Sequence, residues 1–273
     1  MGRISVRKPA VAGQFYPATA NSIRKQLDGF LPPAEKVKDC IGCMLPHAGY
    51  MYSGMVAART VSRLIVKDTA VLLGPNHTGM GSAFSIMASG LWQTPMGDVG
   101  IDEELARAMI EGSSYLEQDE MAHIREHSLE VEIPILQYFR KDFRIVPIAF
   151  ASDDFEALAD TGRAVSAALK RLNREKSALL VASSDMTHYE PADAARRKDD
   201  AALHALLALD ARGLWQTVRG RGITMCGYMP VIVMITAARE LGATKAELVA
   251  YATSGDVTGD NSSVVGYAGV IVY

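Results

Sequence analysis

Three apolar runs in this chain each break into a histidine. Residues 41–45 (IGCML) lead into Pro46 and His47, and residues 70–79 (AVLLGPNHTG) turn on Gly74 and Pro75 to deliver Asn76, His77 and Thr78. Residues 178–182 (ALLVA) lead into Ser183, Ser184, Asp185, Met186, Thr187 and His188, and only six histidines occur in the whole chain. Neutral imidazoles brought together from separate strand ends suit a borderline transition metal, and two of them with one anionic ligand leave positions open for a substrate or oxygen. His47 and His77 are the first two candidate ligands.

For the third ligand, Cys226 closes the glycine-rich stretch GRGITMCG (220–227), just before a helix start at Tyr228, Met229 and Pro230. A helix N-terminus favours the thiolate through its dipole and free amides. Glu130 and Glu132 are rival anionic ligands, although an acidic start to a helix entered near Ser128 explains them as well or better. Asp185 and His188 stand three residues apart after a strand, a spacing that lets a carboxylate orient an imidazole acting as general acid or base. His127 is a further candidate proton donor or hydrogen-bond partner at the cleft wall. His123 and His204 fall in solvated or helical contexts and are given no role. Tyr50 and Tyr52 either line the pocket or pack in the core. Cys40 and Cys43 form a single CxxC with no second pair to complete a zinc site, and Gly79-Met80-Gly81 does not match a phosphate loop.

The elements that must position these groups follow from periodicity. Residues 3–16 read as an extended arm with Pro9 and Gly13. A helix capped by Asn21 or Ser22 carries Ile23, Leu27 and Phe30 on one face and stops at Pro32 and Pro33. Strand 41–45 follows, then the turn AGYMYSG, a helix from about 55 to 66 and the strand 69–74. Short strands are expected at 85–88 and around 91–94, and Asp102 caps a helix bearing Leu105, Met109 and Ile110. A polar stretch, 117–132, leads into the helix around PILQYF. Strand 143–150, helix 154–173, strand 177–182, helix 192–209, the helix from Tyr228, and closing strands 247–253 and 264–272 complete the chain. The order predicts a single three-layer α/β domain over 1–273, a mostly parallel, mixed sheet flanked by helices, with residues 1–20 as an arm packed on it. In such sheets ligands bind outside the carboxyl ends of the strands, so His47, His77 and His188 are expected in one cleft.

Composition narrows the function classes. With 273 residues, 49% hydrophobic, 22% charged and a net charge of −3, the chain has globular averages and no basic footprint for nucleic acid. The start MGRISVRKPAVAG has no apolar h-region and no window approaches 18 uninterrupted apolar residues, so neither a signal peptide nor a membrane partner is expected. Three cysteines fit a reducing compartment, and cytoplasmic residence is the expectation.

The segments VRKPAVAGQFYP, PHAGYMYSG, LGPNHTG, EHSLEVEIPILQ, SSDMTHY and TMCGYMPV, spread over residues 6–231, resemble the Memo family, also called the B component of the AmmeMemoRadiSam system. That resemblance implies an α/β domain similar to the class III extradiol dioxygenases and a single iron(II) or copper ion on His47, His77 and Cys226, with Asp185 and His188 beside it. The dioxygenases use a glutamate where this chain has Cys226, which softens the site towards copper or a redox role. The resemblance also implies radical-SAM and AMMECR-type partner proteins for bacterial and archaeal members, and a phosphotyrosine-peptide scaffold role for animal relatives. Three readings of the cleft follow. The first is a metalloprotein with redox or oxygen-dependent activity on a small molecule or peptide, with no organic cofactor, in which His188 moves protons and Asp185 orients it. The second is a non-enzymatic peptide-binding module with Tyr50 or Tyr52 stacking. The third is a metal-free cysteine hydrolase built on Cys226, His188 and Asp185.

Overall fold

The apolar runs become the centre of a mixed sheet in the computed structural model, which describes residues 5–32 and 36–273. Pro33, at the expected helix stop, and residues 1–4 of the arm lie outside the described residues. Four parallel strands stand in the order Gly42–Leu45, Ala178–Ser183, Thr69–Pro75 and Arg144–Phe150. Every residue of the first three is buried, as expected for strands covered on both faces. Phe84–Ile86 pairs antiparallel with Arg144–Phe150 and carries Glu117–Gln118 at that edge. On the opposite side Val264–Val272 runs antiparallel to Gly42–Leu45 and pairs with both Ala246–Thr253 and His188–Glu190. A separate small sheet joins Val6–Arg7, Leu91–Trp92 and Val99–Gly100.

Alternate residues of the parallel strands feed two helical layers. Val71, Leu73, Val146, Ile148, Leu180 and Ala182 pack with helices Glu103–Gly112, Phe155–Arg171, Ala192–Leu207, Ala211–Gly220 and Tyr228–Glu240. Ala70, Leu72, Ile145, Leu179 and Val181 pack with Ala20–Asp28, Tyr50–Ser62 and Glu132–Phe139. Asp102 caps its helix as expected, accepting from Leu105 N, and Asp154, expected as the first residue of its helix, caps it instead by accepting from Ala157 N at 3.1 Å, each such cap being worth about 1 kcal/mol. The three-layer α/β architecture read from the sequence is the one observed.

Several boundaries differ, each for a local reason. Thr19, not Asn21 or Ser22, caps the first helix, accepting from Ser22 N at 3.3 Å. The helix after His47 begins at Tyr50 rather than near 55, because Tyr50 N donates to Phe15 O of the arm at 2.7 Å and Gly54 lets the helix lie against Phe30. A Cβ on Gly54 would sit 2.8 Å from Phe30 Cε2. Residues 128–131 form a turn instead of a first helical turn: Ser128 Oγ donates to Pro75 O at 3.0 Å, and the helix starts at Glu132. Helix Ala211–Gly220, capped by Asp210, is an addition to the expected elements. Among the described residues no helix is long and apolar enough to cross a membrane.

The arm is clamped by one buried cation. Arg7 pairs with Glu130, donates from Nε to His123 O at 3.0 Å and from Nη2 to Glu126 O at 2.6 Å, and lies 4.4 Å over the Trp92 ring. Glu130 also accepts from Ala10 N, Val11 N and Tyr16 Oη. Its acceptor capacity is thus filled by the arm, and Glu130 is an anchor rather than a ligand. Of the solvated or helical setting expected for His123, the helical one is observed, in the short helix Met121–Ile124, with the side chain fully buried.

Candidate metal centre

The carboxyl ends of three parallel strands open onto one cavity of about 530 Å³. His47, His77, Asp185, His188, His127 and Cys226 all line it, together with Phe15, Tyr189, Thr224 and Tyr267. One ligand-capable atom from each of His47, His77 and Cys226 lies within 4.8 Å of the others. Cys226 Sγ is 3.3 Å from His47 Nε2. The ring of His127 stacks on His77 at 4.8 Å and meets His47 edge-on at 5.5 Å.

Two glycines permit this convergence. A Cβ on Gly227 would come within 2.2 Å of Ser183 O, so only glycine lets the Cys226 loop close on the end of strand Ala178–Ser183. A Cβ on Gly74 would lie 2.6 Å from Leu129 Cδ2, and its absence seats the 128–131 turn against the strand leading to His77.

His77 and His47 each have the far nitrogen held. Glu126 accepts from His77 Nδ1 at 2.9 Å, His77 N at 2.5 Å, His127 N at 3.0 Å and Ser128 N at 2.9 Å. Although burial opposes ionisation, the His77 hydrogen bond and charge hold the Glu126 carboxyl at about 2. His77 is raised in turn, against its burial, by the same carboxylate. His47 Nδ1 lies 2.8 Å from Ser183 Oγ, which is also 2.8 Å from Ser128 O and 2.9 Å from Glu132 Oε1. Burial, and then the neighbouring His127 and His77 rings, push His47 well below the ordinary imidazole range. An imidazole held at one nitrogen presents the other as a fixed ligand atom, the usual outer support of a metal-binding histidine. The donor set of two such imidazoles and a thiol therefore fits a transition metal.

Other expectations are revised. Asp185 does not hydrogen-bond the His188 ring; its Oδ1 accepts from His47 N at 2.8 Å and Ala48 N at 3.3 Å. His188 is oriented instead by Thr224, whose carbonyl accepts from Nδ1 at 2.9 Å. Burial and the nearby Asp185 push the Cys226 thiol well up, so together they outweigh the helix start behind it. The imidazole next to that sulfur is His47, not His188, contrary to the hydrolase arrangement. Tyr50 is buried and Tyr52 packs with Tyr267 and Ala252, so neither lines the cavity. Glu132 is wholly buried, and burial pushes its carboxyl well up, which removes it from the rival ligands. Glu126 and Ser183 were not picked out by residue type; the sole signals were the acid directly before His127 and the first hydroxyl after an apolar strand.

An α/β sheet with a His, His, Cys cluster at its carboxyl edge defines the class, and comparison supplies the family. The family described as Memo-like protein matches residues 7–271. The chain is 45% identical to a MEMO1 family protein of Methanothermobacter thermautotrophicus over 96% of this chain and 99% of that one. It is also 45% identical to a MEMO1 family protein of Aquifex aeolicus, over 97% and 98% of the two chains. This chain belongs to the Memo family. Among solved structures it is similar in fold to an uncharacterised protein from Escherichia coli K12, with a TM-score of 0.56 at 14% identity over 84% of this chain and 98% of that one.

Proposed function

We propose that this chain holds one iron(II) or copper ion between His47, His77 and Cys226 and acts by redox or dioxygenase-like chemistry on a small molecule or peptide admitted to the cavity. The observation that carries the reading is the convergence of two supported imidazoles and a thiol within 4.8 Å. The bound ion would supply the redox chemistry, and a thiolate in the set favours copper or a redox-active iron. The chain's own groups divide the remaining work. His188 donates Nδ1–H to Thr224 and keeps Nε2 as the proton-accepting atom at the wall. Asp185 fixes the backbone of His47 and Ala48, and His127 backs His77. Phe15, Tyr189 and Tyr267 supply apolar wall for an organic substrate.

The test is an anaerobic titration with Fe(II) and with Cu(I) in the wild type, His77→Ala and Cys226→Ser. Saturation near one ion per chain, weakened ~10-fold or more by each substitution, supports the reading. A second reading, a peptide-binding scaffold without turnover, draws on the open mouth, where Tyr189 is 78% exposed. Peptide binding that survives chelation and His77→Ala, with no metal bound, would favour it instead.

A further inference from the structure

The hydroxyl of Ser183 has three partners and one hydrogen. It lies 2.8 Å from His47 Nδ1, 2.8 Å from Ser128 O and 2.9 Å from Glu132 Oε1. A serine hydroxyl donates once and accepts twice. Ser128 O is a carbonyl and only accepts, so it claims the single hydrogen. The two lone pairs of Oγ must then receive hydrogens from both His47 and Glu132. Any other assignment leaves two oxygens, or an oxygen and a nitrogen, facing each other at 2.8–2.9 Å with no hydrogen between them.

We infer that Glu132 is a positioning residue: a neutral carboxylic acid that donates to Ser183 Oγ and so holds His47 as the Nδ1–H tautomer, with the Nε2 lone pair turned to Cys226. The inference rests on the metal-centre reading for its purpose, since that lone pair is the one offered to the ion. Glu132 Oε2 supports it, being buried with no hydrogen-bond partner among the described residues. An ionised carboxylate there would leave a charged oxygen without a donor, a far larger penalty than an unpaired carbonyl. Direction of burial agrees, for Glu132 has no exposed surface and no cation pairs with it among the described residues. The device differs from that at His77, where an ionised Glu126 accepts directly from the ring.

The experiment is infrared difference spectroscopy on metal-free protein at neutral pH, wild type minus Glu132→Gln, joined to ¹⁵N NMR of His47, whose signals are identified by their loss in His47→Gln. The expected result is the carbonyl stretch of a neutral carboxylic acid in the wild type that Glu132→Gln removes, and a His47 ring carrying its proton on Nδ1. The side-chain amide introduced by Glu132→Gln can still donate, so the tautomer should persist in that variant and shift in Ser183→Ala. Fe(II) affinity should fall about 10-fold in Ser183→Ala and by no more than a few fold in Glu132→Gln. Should Glu132→Gln not fold, the same carbonyl is read in wild type by isotope-labelling its glutamates. A difference spectrum showing only ionised carboxylate, or a His47 proton on Nε2, overturns the inference. Failure of the metal reading looks different: the wild type binds neither ion while the acid carbonyl and the tautomer remain as described.

Discussion

His47 and His77 face the same cavity, yet what stands behind them differs. His47 is backed by groups of the sheet itself: Ser183 ends a central strand, and Glu132 opens a helix packed on it. His77 is backed by Glu126, which sits on a loop, and that loop is tied down by Arg7 of the N-terminal arm. One support is neutral and built into the core, the other anionic and assembled from a distant segment. The core-built support is rigid because moving it would disturb close packing, whereas the loop-built one depends on a single buried cation. The contrast also divides the electronic work, since an anionic partner raises the basicity of its imidazole more than a hydroxyl does.

The contrast is broken most severely at the arm. Arg7→Leu leaves Glu130 buried without its cation and removes two bonds to the 123–126 backbone, and stability should fall by about 3–5 kcal/mol in chemical denaturation. Amide exchange should then rise across residues 123–130 more than across strand Ala178–Ser183; equal protection in both would show that the loop does not depend on the clamp. Acid should act on the same side. Burial, and then Arg7, push His123 down to about 4, so between the unfolded value near 6.5 and pH 4 the unfolded chain binds the extra proton. Stability is therefore full above about 6.5, is lost as pH falls towards 4 by up to about 3 kcal/mol, and flattens below that. Comparing the pH dependence of unfolding with that of His123→Gln isolates this contribution, and parallel curves would contradict it.

Smaller effects sharpen the division between the two supports. Glu126→Gln keeps the shape but removes the charge behind His77, and Fe(II) or Cu(I) affinity should fall about 10–100-fold with the fold intact. Ser183→Ala removes only a neutral acceptor behind His47, so the loss should lie at the lower end, about 10-fold. Affinities reversed in order would mean that the core-built support carries the larger share.

Much of the scaffold was legible because its signal is local. The runs at 41–45, 69–74, 143–150 and 177–182 are apolar without alternation, which marks strands buried on both faces, and they are the four parallel strands observed. The gathering of His47, His77 and His188 followed from the rule that loops leaving such strands share one edge. The supports were not legible, because a carboxylate's partner depends on how distant loops meet. Glu126, Glu130 and Glu132 lie within seven residues, yet one backs His77, one anchors the arm and one is buried behind Ser183. Nothing in residue type separates them. Likewise Tyr50 carries the chemistry of a pocket wall but is drawn into the core by its hydroxyl's bond to Val131 O at 2.8 Å, while Phe15 reaches the cavity from an arm far away in the chain.

The proposed ion would sit between two imidazoles and the Cys226 sulfur. X-ray absorption on anaerobically loaded Fe(II) or Cu(I) protein reads that shell directly. The expected shell holds one sulfur at roughly 2.3 Å with imidazole nitrogens beside it, the sulfur vanishing in Cys226→Ser. A shell of nitrogen and oxygen alone in the wild type would contradict it.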